Sequence, residues 1–332
     1  MLDGTIAYVG NSDYGLFVIN VSNPVAPSKI GHYYTPSEVV DVALAGEFAY
    51  LADKNKGIWI IDVSDPADLF EVGFYDTGGN ALGVTVVGSH VYVADGSEGL
   101  RIIDVSNPAF PFEVGFFDTG GIARHVAVLG TFAYVSDGDQ GLRVINISNK
   151  SSPFEAGHID PGSAAKVVVA GAYAYLVDGA NTFHIINISN PTLPVEVGFW
   201  YQPGSADDVA IKGTEAYLAW GSAERMVTMD ITTPTHPTEI GSYEATGSAH
   251  NVSVDANYAY LSAGDNFEVI NISTPSAPFK VGFYNMDGSM AQPLTCAVAG
   301  SLVYVAHESE GLVILKFAPP SLIYLPLVQR GN

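Results

Sequence analysis

One tyrosine recurs along this chain at an almost fixed interval. Tyr8, Tyr50, Tyr92, Tyr134, Tyr175, Tyr217, Tyr260 and Tyr304 are separated by 42, 42, 42, 41, 42, 43 and 44 residues. Each sits in a short run such as Ala49-Tyr50-Leu51 or Ala133-Tyr134-Val135. A period of this size marks tandem copies of one supersecondary unit, which buries its apolar faces against its neighbours. The 332 residues are therefore read as one repeat array, not as the two domains that length alone suggests.

The copy that begins at His90 and ends at Gly130 shows the unit most clearly. Four strands are expected in it: one around Tyr92, a second over 100–105, a third over 112–117 and a fourth over 125–129. Short β-rich runs divided by turn residues indicate an all-β fold. Asp95-Gly96 and Asp137-Gly138 supply the positive φ of tight hairpins. Asn23-Pro24, Asp65-Pro66, Asn107-Pro108 and Asn190-Pro191 break the chain after the second strand, and Lys150 replaces this proline in the fourth copy. Four antiparallel strands in about 40 residues describe a propeller blade. Eight tyrosine hairpins imply eight blades. The alternative is seven, with a ring closed by strands from both termini, which removes exposed edges. Leu2-Asp3-Gly4 reads as the end of an inner strand whose upstream part is missing.

The second strands read Leu16-Phe17-Val18-Ile19-Asn20, Ile58-Trp59-Ile60-Ile61-Asp62 and Leu100-Arg101-Ile102-Ile103-Asp104. They resemble the LVIVD repeat, a propeller unit of bacterial and archaeal surface proteins. The resemblance runs over 4–317. Copies five to seven drift, with Phe183, Met226 and Phe267 at the leading position, and the eighth ends Leu315-Lys316 without the acid or amide. The resemblance implies a propeller exposed at the cell surface and brings no catalytic residues with it. One domain is expected over 1–317. The tail 318–332 contains Tyr324-Leu325-Pro326-Leu327-Val328, which reads either as a sorting or anchoring tail or as an outer strand of the last blade.

Composition narrows the partners. Hydrophobic residues are 48% and charged residues 14%, enough apolar material for a large core. The net charge of −22 repels phosphate backbones and argues against nucleic acid. The single cysteine, Cys296, has no internal partner and reads as a small core residue. No apolar run is long enough for a membrane helix. No signal peptide precedes the first repeat, so an extracellular location requires an incomplete N-terminus.

Alignment of the inner strands on their closing glycine (Ala256 in one copy) exposes one variable polar column: Asp41, Gly83, His125, Lys166, Asp208, Asn251 and Thr295. The residues just before it include Arg124, Asp207 and His250. Two places later stand small or apolar residues, Ala43, Ala127, Val168, Ala210 and Ser253 among them. The polar column is thus placed at one mouth of the central channel, where a loop from each blade converges. Its chemistry changes from copy to copy, which suggests that packing does not dictate it. Arg124, His125, Lys166, Asp207, Asp208, His250 and Asn251 form the candidate ligand site. Arg124 and Lys166 are its anion-binding groups and suit a carboxylate-bearing or zwitterionic ligand.

Catalytic signatures are missing from the sequence. His125 and His250 lie three units apart without a third histidine, and no GxSxG elbow occurs. No cofactor is expected, with calcium as the alternative. Asp95-Gly96-Ser97-Glu98 and Asp137-Gly138-Asp139-Gln140 resemble fragments of calcium loops. They lack the alternating ligands and closing Glu, so turn formation accounts for them. Asn-x-Ser at Asn20, Asn146, Asn187 and Asn271 occupies a position held elsewhere by Asp62, Asp104 and Asp230, where a short side-chain oxygen caps the following turn. The expected protein is a secreted or cell-surface binding scaffold, monomeric. Its expected partner is a surface protein, a carbohydrate or a small anionic or zwitterionic ligand. The alternative is a hydrolase or lyase acting at the channel mouth.

Overall fold

The computed structural model describes residues 2–3, 6–11, 15–20, 28–35, 38–65, 68–255, 257–264, 266–285, 293–299, 302–307 and 311–316. The tail 318–332 lies outside the described residues. Among the described residues, eight antiparallel sheets follow one another in chain order, the first seven with four strands and the eighth with three. They are called sheets I (2–33), II (39–75), III (83–117), IV (125–159), V (166–201), VI (206–244), VII (249–285) and VIII (293–316). In sheet III the strands are Gly83–Val87, His90–Ala94, Leu100–Asp104 and Phe112–Phe117, here strands a to d. The only helical element among the described residues is the 3₁₀ turn Gly221–Ala223. No helix of the described residues is long and apolar enough to cross a membrane.

The a strands of sheets II to VIII touch in succession, and sheet I contacts both sheet VIII and sheet II. No described strand is shared between the two ends. Leu2–Asp3 pairs with Ile6 and Ala7 inside sheet I, and the strands of sheet VIII pair with one another.

The core lies between sheets. Tyr50, Tyr92, Tyr134, Tyr175, Tyr217 and Tyr260 are buried. Tyr92 of sheet III joins Val126, Ala133, Val135 and Ile145 of sheet IV in one cluster. Tyr50 of sheet II joins Val84, Val91, Val93 and Ile103 of sheet III. An isolated unit could not bury these side chains, which is why the repeat must be an array. Tyr8 and Tyr304 pair in the same register, opposite Val18 and opposite Ala297 and Ile314.

Strand d carries a second tie. Its glycines, Gly73, Gly115, Gly157, Gly198 and Gly241, sit where a Cβ would strike a backbone carbonyl of the next unit's turn. Those carbonyls belong to Pro108, Lys150, Pro191, Pro234 and Pro275. At Gly157 the Cβ would lie 2.6 Å from the Pro191 oxygen. The turn after the second strand is thus a docking point between units as well as a chain break. A register shift just before each of these glycines marks a bulge that bends strand d. Beside these turns, Ser148, Ser189 and Ser273 donate backbone N–H to Asn146, Asn187 and Asn271 at 2.9–3.0 Å, and Ser106 does so to Asp104. The shared side-chain oxygen is a turn cap, as its exchange with aspartate suggests.

Candidate functional site

Strand a is the edge of each sheet, so its outward N–H and C=O groups lack a partner strand. Side chains of the preceding sheet supply partners. Asp41 Oδ2 accepts from Val84 N at 2.9 Å, while Oδ1 accepts from Val42 N. Asp208 Oδ2 accepts from Val252 N at 3.0 Å and from Asn251 Nδ2 at 2.7 Å. Thr85 Oγ1 donates to Val126 O at 2.8 Å. Ser136 Oγ donates to Ala165 O at 3.0 Å. Asp41 and Asp208 of the polar column therefore tie neighbouring sheets together, and Thr85 and Ser136 do so from outside it. For Asp41 and Asp208 this corrects the expectation that variability frees the column from structural duty. Gly83 belongs to it for a steric reason, since a Cβ there would lie 3.1 Å from His125 Cα.

Charge still gathers in the column. Lys166 Nζ lies 3.8 Å from Asp208 Oδ1. Burial pushes the Asp208 carboxyl up, and the Lys166 charge and two backbone hydrogen bonds oppose that rise. Asp41 is likewise raised by burial and eased by Lys166. His125 is held well below its ordinary value, first by burial and then by Lys166, so its imidazole is neutral at pH 7. One ammonium thus acts on three groups from three other sheets.

Arg124, Asp207 and His250 separate from this cluster: Asp207 and His250 stand at register shifts of their strands, and Arg124 precedes the strand that begins at His125. Asp207 Oδ2 and His250 Nδ1 pair at 2.8 Å across sheets VI and VII. His250 Nε2 is buried and has no hydrogen-bond partner among the described residues. The hairpin beside this pair is built differently from its counterparts. Ser205 N donates to Ser222 Oγ at 2.9 Å and Ser222 N donates to Ser205 Oγ at 3.1 Å. Glu224, at φ 51°, is the one non-glycine residue with positive φ among the described residues. Arg124 is exposed and turns toward a cleft lined by Gly121, Ile122, Gly138, Asp139 and Gln140. Lys166 addresses Asp208, while Arg124 lines this cleft and makes no ion pair among the described residues.

Two ionic clusters anchored on buried aspartates were not evident from the sequence. Arg101 bridges Glu98, Glu113 and Asp95, and Arg143 bridges Glu155 and Asp137. Asp95 Oδ1 accepts from Thr77 and Asp137 Oδ1 from Thr119, each at 2.5 Å. The leading carboxylates of both calcium-like hairpins thus face inward. Burial raises Asp95 to about 6 against the opposing pull of Thr77 and Arg101. The signal was present in the sequence as Arg at one place in strand c and Glu at one place in strand d, twelve residues later.

Successive four-stranded antiparallel sheets, joined by their inner strands and stapled near the axis, define a β-propeller. The chain belongs to the LVIVD-repeat family, whose model matches residues 1–35, 37–77, 78–119, 120–160, 161–200, 203–245 and 246–286. No curated protein matches the chain. Among solved structures, the computationally designed Ika8 protein is similar with TM-score 0.78 and 10% identity, covering 96% of this chain and 95% of that one. The C-terminal WD40 domain of Sif2 is similar with TM-score 0.73 and 12% identity, covering 96% and 94%. A putative 6-phosphogluconolactonase from Bacteroides fragilis is similar with TM-score 0.71 and 12% identity, covering 87% and 96%. At these identities the likeness concerns the fold.

Proposed function

We propose that this chain is a secreted or surface-displayed scaffold, monomeric, that binds a surface protein, a carbohydrate or a small anionic or zwitterionic ligand at the channel mouth. The reading takes 1–317 as one ring of eight blades. It takes 318–332 as a tail or an outer strand of the last blade. Contact of sheet I with both sheet VIII and sheet II supports closure of that ring. The observation that carries the site is the mixed cluster Asp41, His125, Lys166 and Asp208, one residue from each of four sheets, with Lys166 acting on the other three. Convergent polar groups at one opening are what a ligand site on a rigid repeat scaffold requires. Screening wild type and Lys166→Ala against acidic oligosaccharides and peptides tests it. Loss of a hit in the variant is expected. A hit that persists there and disappears on changing the Asn-Pro face would defeat the reading.

One observation favours the hydrolase or lyase reading. Asp207 orients the His250 imidazole through Nδ1 and leaves Nε2 unpaired, the arrangement of a general base. The similar fold of a putative 6-phosphogluconolactonase adds only that propellers accommodate chemistry. Turnover of ester or lactone substrates that is abolished in His250→Ala would establish this reading in place of the first.

A further inference from the structure

We propose that the cleft beside Arg124 binds a free α-amino acid or a zwitterion of similar size, independently of the channel cluster. The cleft measures about 180 Å³ and is lined by Gly121, Ile122, Arg124, Gly138, Asp139 and Gln140. It lies between the connection entering sheet IV and the hairpin that joins strands b and c of that sheet.

Its floor is fixed. Gly138 N donates to Ala164 O at 3.2 Å, Ala164 N donates to Gly138 O at 2.7 Å, and Arg124 N donates to Ser136 O at 2.8 Å. Gly121 must lack a side chain, since a Cβ would meet the Asp137 carbonyl at 2.5 Å. Arg143 donates to Gln140 Oε1 at 3.0 Å, so the Gln140 amide nitrogen is left as a donor of fixed position.

Two opposite charges line this small space without pairing. Neither Arg124 nor Asp139 forms an ion pair among the described residues. A guanidinium offers forked bonds to a carboxylate, and Asp139 offers acceptors to an ammonium. The protein's charge of −22 opposes a simple anion, whereas a ligand without net charge escapes that repulsion.

The repeat supplies its own control. The preceding unit has the same frame, Gly79 and Gly96, with Leu82 and Ser97 at the two charged positions. The following unit has Ala165 and Ala180 there. The frame therefore does not require the charges, and each can be exchanged for a residue the fold already accepts at that point.

The test is calorimetric titration of the full chain with glycine, L-serine and L-glutamine, and with acetate and ethylammonium as half-ligands. Saturable binding of at least one amino acid is expected, with each half-ligand at least about tenfold weaker. Arg124→Leu and Asp139→Ser, which copy the preceding unit, should each weaken binding about tenfold or more, a difference of about 1.4 kcal/mol. Three results would overturn the proposal. One is no saturable binding of any of the three amino acids at up to about 50 mM, weaker than the millimolar end of the affinity scale. Another is binding unchanged in both variants. The third is binding that survives Arg124→Leu and falls in Lys166→Ala, which would transfer the ligand to the channel cluster.

Discussion

Glu268, fully buried on sheet VII, accepts a hydrogen bond from Lys280 at 2.9 Å. The same cross-strand position in sheet III holds Arg101 and Glu113, with the charges exchanged. Attraction is unchanged by the exchange, so the position selects a pair and not a sign. Glu268 also accepts from Thr246 at 3.0 Å, much as Asp95 does from Thr77. Glu268→Arg alone should destabilise the protein by about 3–5 kcal/mol, because it leaves like charges together in a buried place. The double change Glu268→Arg with Lys280→Glu should recover most of that loss in denaturant titrations. A double variant no more stable than the single one would show that the pair is not interchangeable.

His184 takes the guanidinium's place in sheet V. Burial disfavours its charged form, but the Glu196 carboxylate, hydrogen-bonded to Nδ1 at 2.7 Å, and the Asp178 carboxylate, 3.9 Å from Nε2, outweigh burial and hold it above 6.5. Its contribution to stability is full below 6.5 and is lost as pH rises through the higher folded value. Asp178 behaves oppositely: its carboxyl is held below 3.8, so its contribution is present above 3.8 and is lost as pH falls through the folded value. His184→Arg, which restores the residue of sheets III and IV, should flatten the fall in melting temperature as pH rises above about 6.5 while leaving the acid limb. An unchanged slope would remove His184 from this account.

The two neighbouring carboxylates of sheet VI should respond differently. Asp208 caps an edge N–H of sheet VII and is buried. Asp207 pairs with a partly exposed histidine. Asp208→Ala is expected to cost about 1–3 kcal/mol, and Asp207→Ala below about 1 kcal/mol. Equal losses would mean that the column does not staple the sheets.

These contrasts show what could be read from the chain and what could not. The tyrosine period exposes the array because every unit buries the same side chain. Strands Phe112–Phe117 and His125–Leu129 fall where the turn residues predict them. The polar column was also visible, since glycines closing strand a align it. Its meaning was not. A period reveals which residues are equivalent, but not that Asp208 meets a backbone N–H 44 residues away. Nor does it show that Arg124 and His125, adjacent in sequence, face separate surroundings. The ion pairs of strands c and d were hidden for a related reason. Arg101, Arg143, His184 and Glu268 share no single chemistry, so only their partners twelve residues on define the column.

Gly157 offers a direct test of the outer tie. Gly157→Ala would drive a methyl group toward the Pro191 carbonyl and should cost about 1–3 kcal/mol. Thermal melts of the variant check this. A melting temperature equal to that of wild type would mean that the turn of the next unit is free to retreat.

That tie also has a direction. Each glycine of strand d receives a carbonyl from the unit that follows it, at Gly73, Gly115, Gly157, Gly198 and Gly241 alike. Sheets II to VI are thus each socket to their successor, and sheets III to VII each plug to their predecessor, through the same backbone carbonyl contact. Unequal recombination within such a gene can delete or duplicate a whole unit without creating an ill-fitting junction. In the closed ring proposed above, the fit of a changed number of units would be tested at one seam, where the last unit meets the first.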